Sequence, residues 1–120
     1  NPDKTFRGDN VINRAEVLKI LLRSAEIFMD TNSELNKLAE AQYSSSEPQK
    51  KFNDEGSNQE QWYTPYLHYA AVKKIIEGRK YLIGASSIVK ADMAAGVKYG
   101  EAAKILYFAN KLAVDGEAAL

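Results

Sequence analysis

Apolar residues recur along this chain at helical spacing, and three stretches show it clearly. From Asn13 onward, Leu18, Leu21, Leu22 and Ala25 fall on one face, and Val17, Ile20 and Ile27 add a second. The pattern predicts a core helix running to about Phe28 and covered from two sides. Its opening, Asn13-Arg14-Ala15-Glu16, has the form of a capping box. The Asn side chain accepts from an amide three residues on, and the Glu reaches back to the cap amide. Thr64-Pro65 starts a second helix, because Pro at the first helical position forfeits no needed hydrogen bond. Tyr66, Leu67, Ala70, Ala71 and Ile75 line its inner face, and Gly78 offers a stop after Glu77. A third helix, from about Gly100 to Val114, carries its stripe at Ala102, Ile105, Leu106, Ala109, Leu112 and Ala113. A weaker helix is expected from Ser33 to Tyr43, capped by Ser33 or Asn32. No strand pattern stands out; residues 79–97 read as a short apolar run with glycines at 84 and 96 and a possible helical turn from Ala91 to Ala95. The expected fold is all-α, a small bundle of about four helices.

Two of these helices begin alike. Residues 12–21 align without gaps on residues 97–106, with Glu, Lys, Ile and Leu identical and small residues matched at Ala15 and Gly100. A gapless match of this kind points to duplication and a repeat architecture.

The chain resembles the S-layer homology family on two motifs in the family's order. Phe52-Asn53-Asp54 precedes Trp62-Tyr63-Thr64-Pro65-Tyr66-Leu67, then Ala70, Ile75-Ile76 and Gly78, as in the opening half of a unit. Phe6-Arg7-Gly8-Asp9-Asn10-Val11-Ile12-Asn13-Arg14-Ala15-Glu16 is similar to the closing half of a preceding unit. On this resemblance one domain spans 1–120: the back half of one unit at 5–29, an insertion or linker at 30–51, and a complete unit at 52–114. It implies a noncatalytic module of a secreted bacterial surface protein, anchored noncovalently to an acidic, pyruvylated secondary cell-wall polysaccharide. By motif position the carbohydrate-binding residues are Arg14, Asp54 and Trp62. Arg offers a rigid donor fork to a carboxylate, Asp accepts sugar hydroxyls, and Trp stacks on apolar sugar faces. The pattern departs at the second copy, where Tyr99 stands for the Arg and Lys98 for the capping residue. Lys98 accepts no amide hydrogen bond, so the last helix is expected to fray unless another group caps it. The alternative is a degenerate repeat that serves protein–protein assembly, by self-association or by docking with other parts of the parent protein.

Other residues have plainer readings. Trp62 is a stacking platform if exposed and a core anchor if not; Asp54, near Gly56 and Asn58, also suits a cap or turn. Arg14, in a first helical turn, opposes the macrodipole and is expected at the surface, bound to ligand or to a neighbouring acid. His68 is expected to pack or lie at the surface, without a partner that the sequence identifies.

Composition removes several classes. With 120 residues the chain suits one domain, and with no Cys and one His it lacks disulfides, thiolate zinc sites, Cys nucleophiles and two-His metal motifs. No cofactor, catalytic signature or membrane-spanning run is evident. The 16 basic and 16 acidic side chains balance, which argues against nucleic acid as a partner. The balance hides an asymmetry: residues 1–60 carry 8 basic and 11 acidic side chains, residues 61–120 carry 8 and 5. The N-terminus, Asn1-Pro2-Asp3-Lys4, has no initiator Met and reads as a cut fragment of a longer protein.

Overall fold

A computed structural model describes residues 13–29, 31–45, 52, 61–84, 86–93 and 96–120. Among them the chain is mostly helical, with α1 (Arg14–Ser24), α2 (Ser33–Ser44), α3 (Thr64–Val72) and α4 (Tyr99–Asp115). Between α3 and α4 lies a hairpin of β1 (Arg79–Ile83) and β2 (Ser86–Lys90).

The capping box of α1 forms as expected. Asn13 Oδ1 accepts from the Glu16 amide at 2.9 Å, and Glu16 Oε1 accepts from the Asn13 amide at 3.1 Å. The Ala15 amide, another donor orphaned at a helix start, reaches the Met93 carbonyl at 3.1 Å. Leu18, Leu22 and Ala25 are buried, and Val17 makes a small satellite cluster with Val97 and Ala102. Ile20, expected on a covered second face, is exposed, so that cover is partial. The helix ends before Phe28 because Glu26 takes a left-handed φ of 63° and the Ile27 amide turns back to the Leu22 carbonyl. That turn delivers Ile27 and Met29 into the core.

The stretch from Ser33 forms α2, capped by Asn32, whose Oδ1 accepts from the Leu35 amide at 2.9 Å. It docks on α3 and buries Ala39 and Tyr43, so part of the stretch read as an insertion belongs to the core. Residues 46–51 of that stretch lie outside the described residues.

α3 is shorter than its sequence suggests. Instead of running to Glu77 it stops at Val72, Lys74 takes φ 60°, and the Ile75 amide bonds the Ala70 carbonyl at 2.8 Å. Successive residues of a continuing helix point about 100° apart; breaking it here lets both Ile75 and Ile76 turn inward. Tyr66, Leu67, His68, Tyr69 and Ala70 are all buried, which makes α3 the central helix, enclosed on every side.

The hairpin corrects the expectation of a fold without strands. Its antiparallel register runs from Arg79 opposite Lys90 to Ile83 opposite Ser86. Gly84, at φ 60°, opens the two-residue loop that such a hairpin needs. Gly78 serves the hairpin as well, rather than ending a helix at Glu77. It has φ 84°, and a Cβ there would lie 2.6 Å from Val89 Cγ1 and 2.7 Å from Phe52 Cε1. Ala91 to Met93 are not helical, and Ala94 and Ala95 lie outside the described residues.

α4 buries Ala102, Ile105 and Ala109, with Leu112 half-buried. Leu106 and Ala113, placed in the same stripe by the sequence, face outward. After Gly116, at φ 71°, the chain folds back onto α3. There the Tyr69 hydroxyl donates to the Ala118 carbonyl at 2.6 Å, and Lys73 Nζ donates to the carbonyls of Glu117 and Ala119.

Candidate functional site

Arg14 is not at the surface: it is 2% exposed. Its Nε donates to the Ala91 carbonyl at 2.9 Å, and its Nη1 donates to Glu101 Oε2. The same carboxylate takes Arg79 Nη2 through its other oxygen at 3.4 Å, and Arg79 Nη1 stands 3.9 Å from Asp92 Oδ2. The Tyr81 hydroxyl donates to that Asp92 oxygen, which holds its proton above the ordinary tyrosine range. Two guanidinium groups and two carboxylates thus tie α1, the hairpin and α4 into one network. The expectation of an exposed, ligand-ready Arg14 is corrected: its donor fork is used inside the protein. Sequence reasoning missed the partner because Glu101 is 87 residues away. The signal lay in the aligned pattern, where Glu101 stands at the place that Glu16 takes in the first stretch.

Trp62 lies in the turn leading into α3 and is 54% exposed, so it does not anchor the core. Lys19 Nζ from α1 stands 5.5 Å from its ring centroid, and Tyr63 meets it edge-on with centroids 5.5 Å apart. A flat indole partly open to solvent with an ammonium over its ring can stack on a sugar face while attracting a carboxylate. Lys19 had no role in the sequence reading; only the packing of α1 beside the start of α3 brings it there. Asp54 lies outside the described residues.

His68 is buried, as packing would have it, but it has a partner. Its ring stacks on Tyr43 with centroids 3.8 Å apart at 11°, and its Nδ1 lies 2.6 Å from Glu40 Oε2. Tyr43 in turn accepts the Phe52 amide at 2.9 Å. A cleft of about 280 Å³ lined by Asn36, Lys37, Glu40, Thr64, Pro65 and His68 opens beside this pair. The group joins α2 to α3, and no local motif could have announced it, because Glu40 is 28 residues from His68.

Among the described residues, no three acidic or histidine side chains converge as a metal site, and no helix is long and apolar enough to cross a membrane. No family model, curated protein or solved structure matches the chain.

Proposed function

We propose that this chain is a noncatalytic cell-envelope module related to S-layer homology units. It helps hold a secreted bacterial surface protein on an acidic secondary cell-wall polysaccharide. The observation that carries the reading is Trp62, more than half exposed and accompanied by Lys19. An aromatic face with an adjacent cation suits a glycan whose sugars carry carboxylates. Arg14 supports the platform indirectly, by fixing α1, the helix that presents Lys19, against α4.

Retention on purified cell-wall sacculi, with and without their secondary polysaccharide, tests this. Polysaccharide-dependent retention that Trp62→Ala abolishes, with an unchanged unfolding midpoint, is the expected result. Equal retention of the variant, or none by the folded chain, overturns the reading.

A second reading, assembly of surface proteins without glycan binding, is favoured by the apolar face that α4 leaves in solvent.

A further inference from the structure

The glycan reading leaves the cleft between α2 and α3 without a role. Asn36 and Glu40 stand one turn apart on α2, so both side chains lie on the face that lines it. Asn36 Oδ1 is buried there and has no hydrogen-bond partner among the described residues. A buried acceptor without a donor is costly, and it marks a place where a bound donor would be held. The cleft measures about 280 Å³, at the small end of the ligand-sized range and far above the roughly 30 Å³ of one water. Thr64, Pro65 and the buried His68 form its α3 wall.

The charges say what kind of molecule fits. The Glu40 carboxylate is held in place, with Oε2 2.6 Å from His68 Nδ1 and Oε1 accepting from Ser44 Oγ at 3.2 Å. A carboxylate has about four acceptor sites, and Glu40 is 56% exposed, so sites remain for a ligand. Asn36 and Glu40 therefore offer acceptors to an ammonium, while the exposed Lys37 offers a cation on the same cleft. A simple amine would meet the like charge of Lys37, and a simple carboxylate that of Glu40. A molecule that carries both groups meets an opposite charge at each end.

We propose that the cleft between α2 and α3 binds a small zwitterion of the α-amino acid class. Its ammonium lies between Asn36 Oδ1 and the Glu40 carboxylate, and its carboxylate lies at Lys37. Pro65 gives a short side chain an apolar contact. The site uses neither Trp62 nor Lys19, so it stands apart from the glycan reading.

L-Alanine is the probe, titrated into the ¹⁵N-labelled whole chain. It should shift the amide resonances of residues 36–40 and 64–68 along a saturable curve, with a Kd of about 1 mM or tighter. n-Propylamine and propionate each supply one charge and should bind about tenfold more weakly or worse. Asn36→Leu and Lys37→Glu should each weaken alanine binding by about tenfold or more. Asn36→Asp should retain it, because a carboxylate oxygen takes the place of the amide oxygen. Unfolding midpoints check that each variant is folded; Lys37 is exposed, so its variant keeps the test open should Asn36→Leu fail to fold. The absence of a saturable shift overturns the proposal, as does alanine binding indifferent to Lys37→Glu. Equal binding of propylamine overturns the zwitterion. Loss in Asn36→Asp to match Asn36→Leu overturns the placing of the ammonium at Asn36.

Discussion

Residues 12–21 and 97–106 carry nearly the same sequence pattern, yet the helices they open live differently. In α1 the Glu of the motif turns back to its own cap, because Asn13 is there to complete the box. In α4 the equivalent cap is Lys98, the box does not form, and Glu101 reaches across to Arg14 and Arg79. The Arg of the first stretch is therefore held by the Glu of the second. An antiparallel bridge between Asn13 and Gly96 sets the two helix starts side by side. Tyr99, which replaces the Arg, points into solvent at the surface. Arg14 has become interior, while Tyr99 at the matching position is more than half exposed. The difference teaches that two helices with the same opening pattern can be set in different roles by which residue stands at the cap and which in the first turn.

The sharpest way to break this comparison is to delete neighbouring side chains on α4. Ile105→Ala should cost about 2–5 kcal/mol in urea unfolding, because Ile105 is buried in the core. Leu106→Ala, measured on dilute protein, should cost less than about 1 kcal/mol, as expected for an exposed side chain. Equal costs would refute the assignment of an inner and an outer face.

Arg14→Ala comes next. Removing the buried guanidinium takes one of two arginine donors from Glu101 and the Arg14 Nε bond from the Ala91 carbonyl, at a cost of about 2 kcal/mol. Tyr99→Ala, at the matching position, should change stability by less than about 0.5 kcal/mol. If both substitutions lower the unfolding midpoint equally, the division between scaffold and surface fails.

The caps give a smaller effect with opposite signs. Asn13→Ala should destabilise by about 1 kcal/mol, and Lys98→Ser should stabilise by about 0.5 kcal/mol by supplying the acceptor that α4 lacks. Thermal melts of dilute samples would read both. A destabilising Lys98→Ser would mean that the lysine has a partner worth more than a cap.

The last effect appears only in alkali. Burial pushes the Tyr69 hydroxyl up to about 12 from an ordinary 10.0, so the folded chain holds this proton more tightly than the unfolded chain does. Its contribution to stability is complete below pH 10 and falls between pH 10 and 12, at most by about 1.4 kcal/mol per pH unit, the limit for one proton. Tyr69→Phe should flatten this decline; an unchanged pH profile would show that the hydroxyl titrates freely.

Helix existence was legible in the sequence wherever the cause was local. The Asn13 box, the Asn32 cap and the Pro65 start each lie within a turn of the backbone groups they satisfy, so spacing alone predicts them. Element ends and the hairpin were less legible. Lys74 and Glu26 adopt left-handed conformations that no glycine advertised, because packing Ile75, Ile76, Ile27 and Met29 outweighs about 1 kcal/mol of backbone strain at each. The hairpin's turn signal was a single Gly84 between two short runs that also read as loop.

Of the three residues offered for binding, Arg14, expected at the surface, is buried, and Trp62, left open between platform and core anchor, is exposed. The sequence set a mostly helical chain, its cap chemistry, and the absence of thiol and paired-histidine chemistry, because these depend on residue identity and near neighbours. Which residues became interior was decided by tertiary structure. Arg14 is buried because Glu101 and Ala91 arrive from the far half of the chain to satisfy its donors, and a guanidinium enters the core only when partnered. Trp62 stays outside, in the turn before α3, where Tyr63 meets it edge-on and Lys19 lies over its ring. Spacing along a chain carries no information about which distant group will complete a charge or occupy a volume, so those choices exist only in the folded molecule.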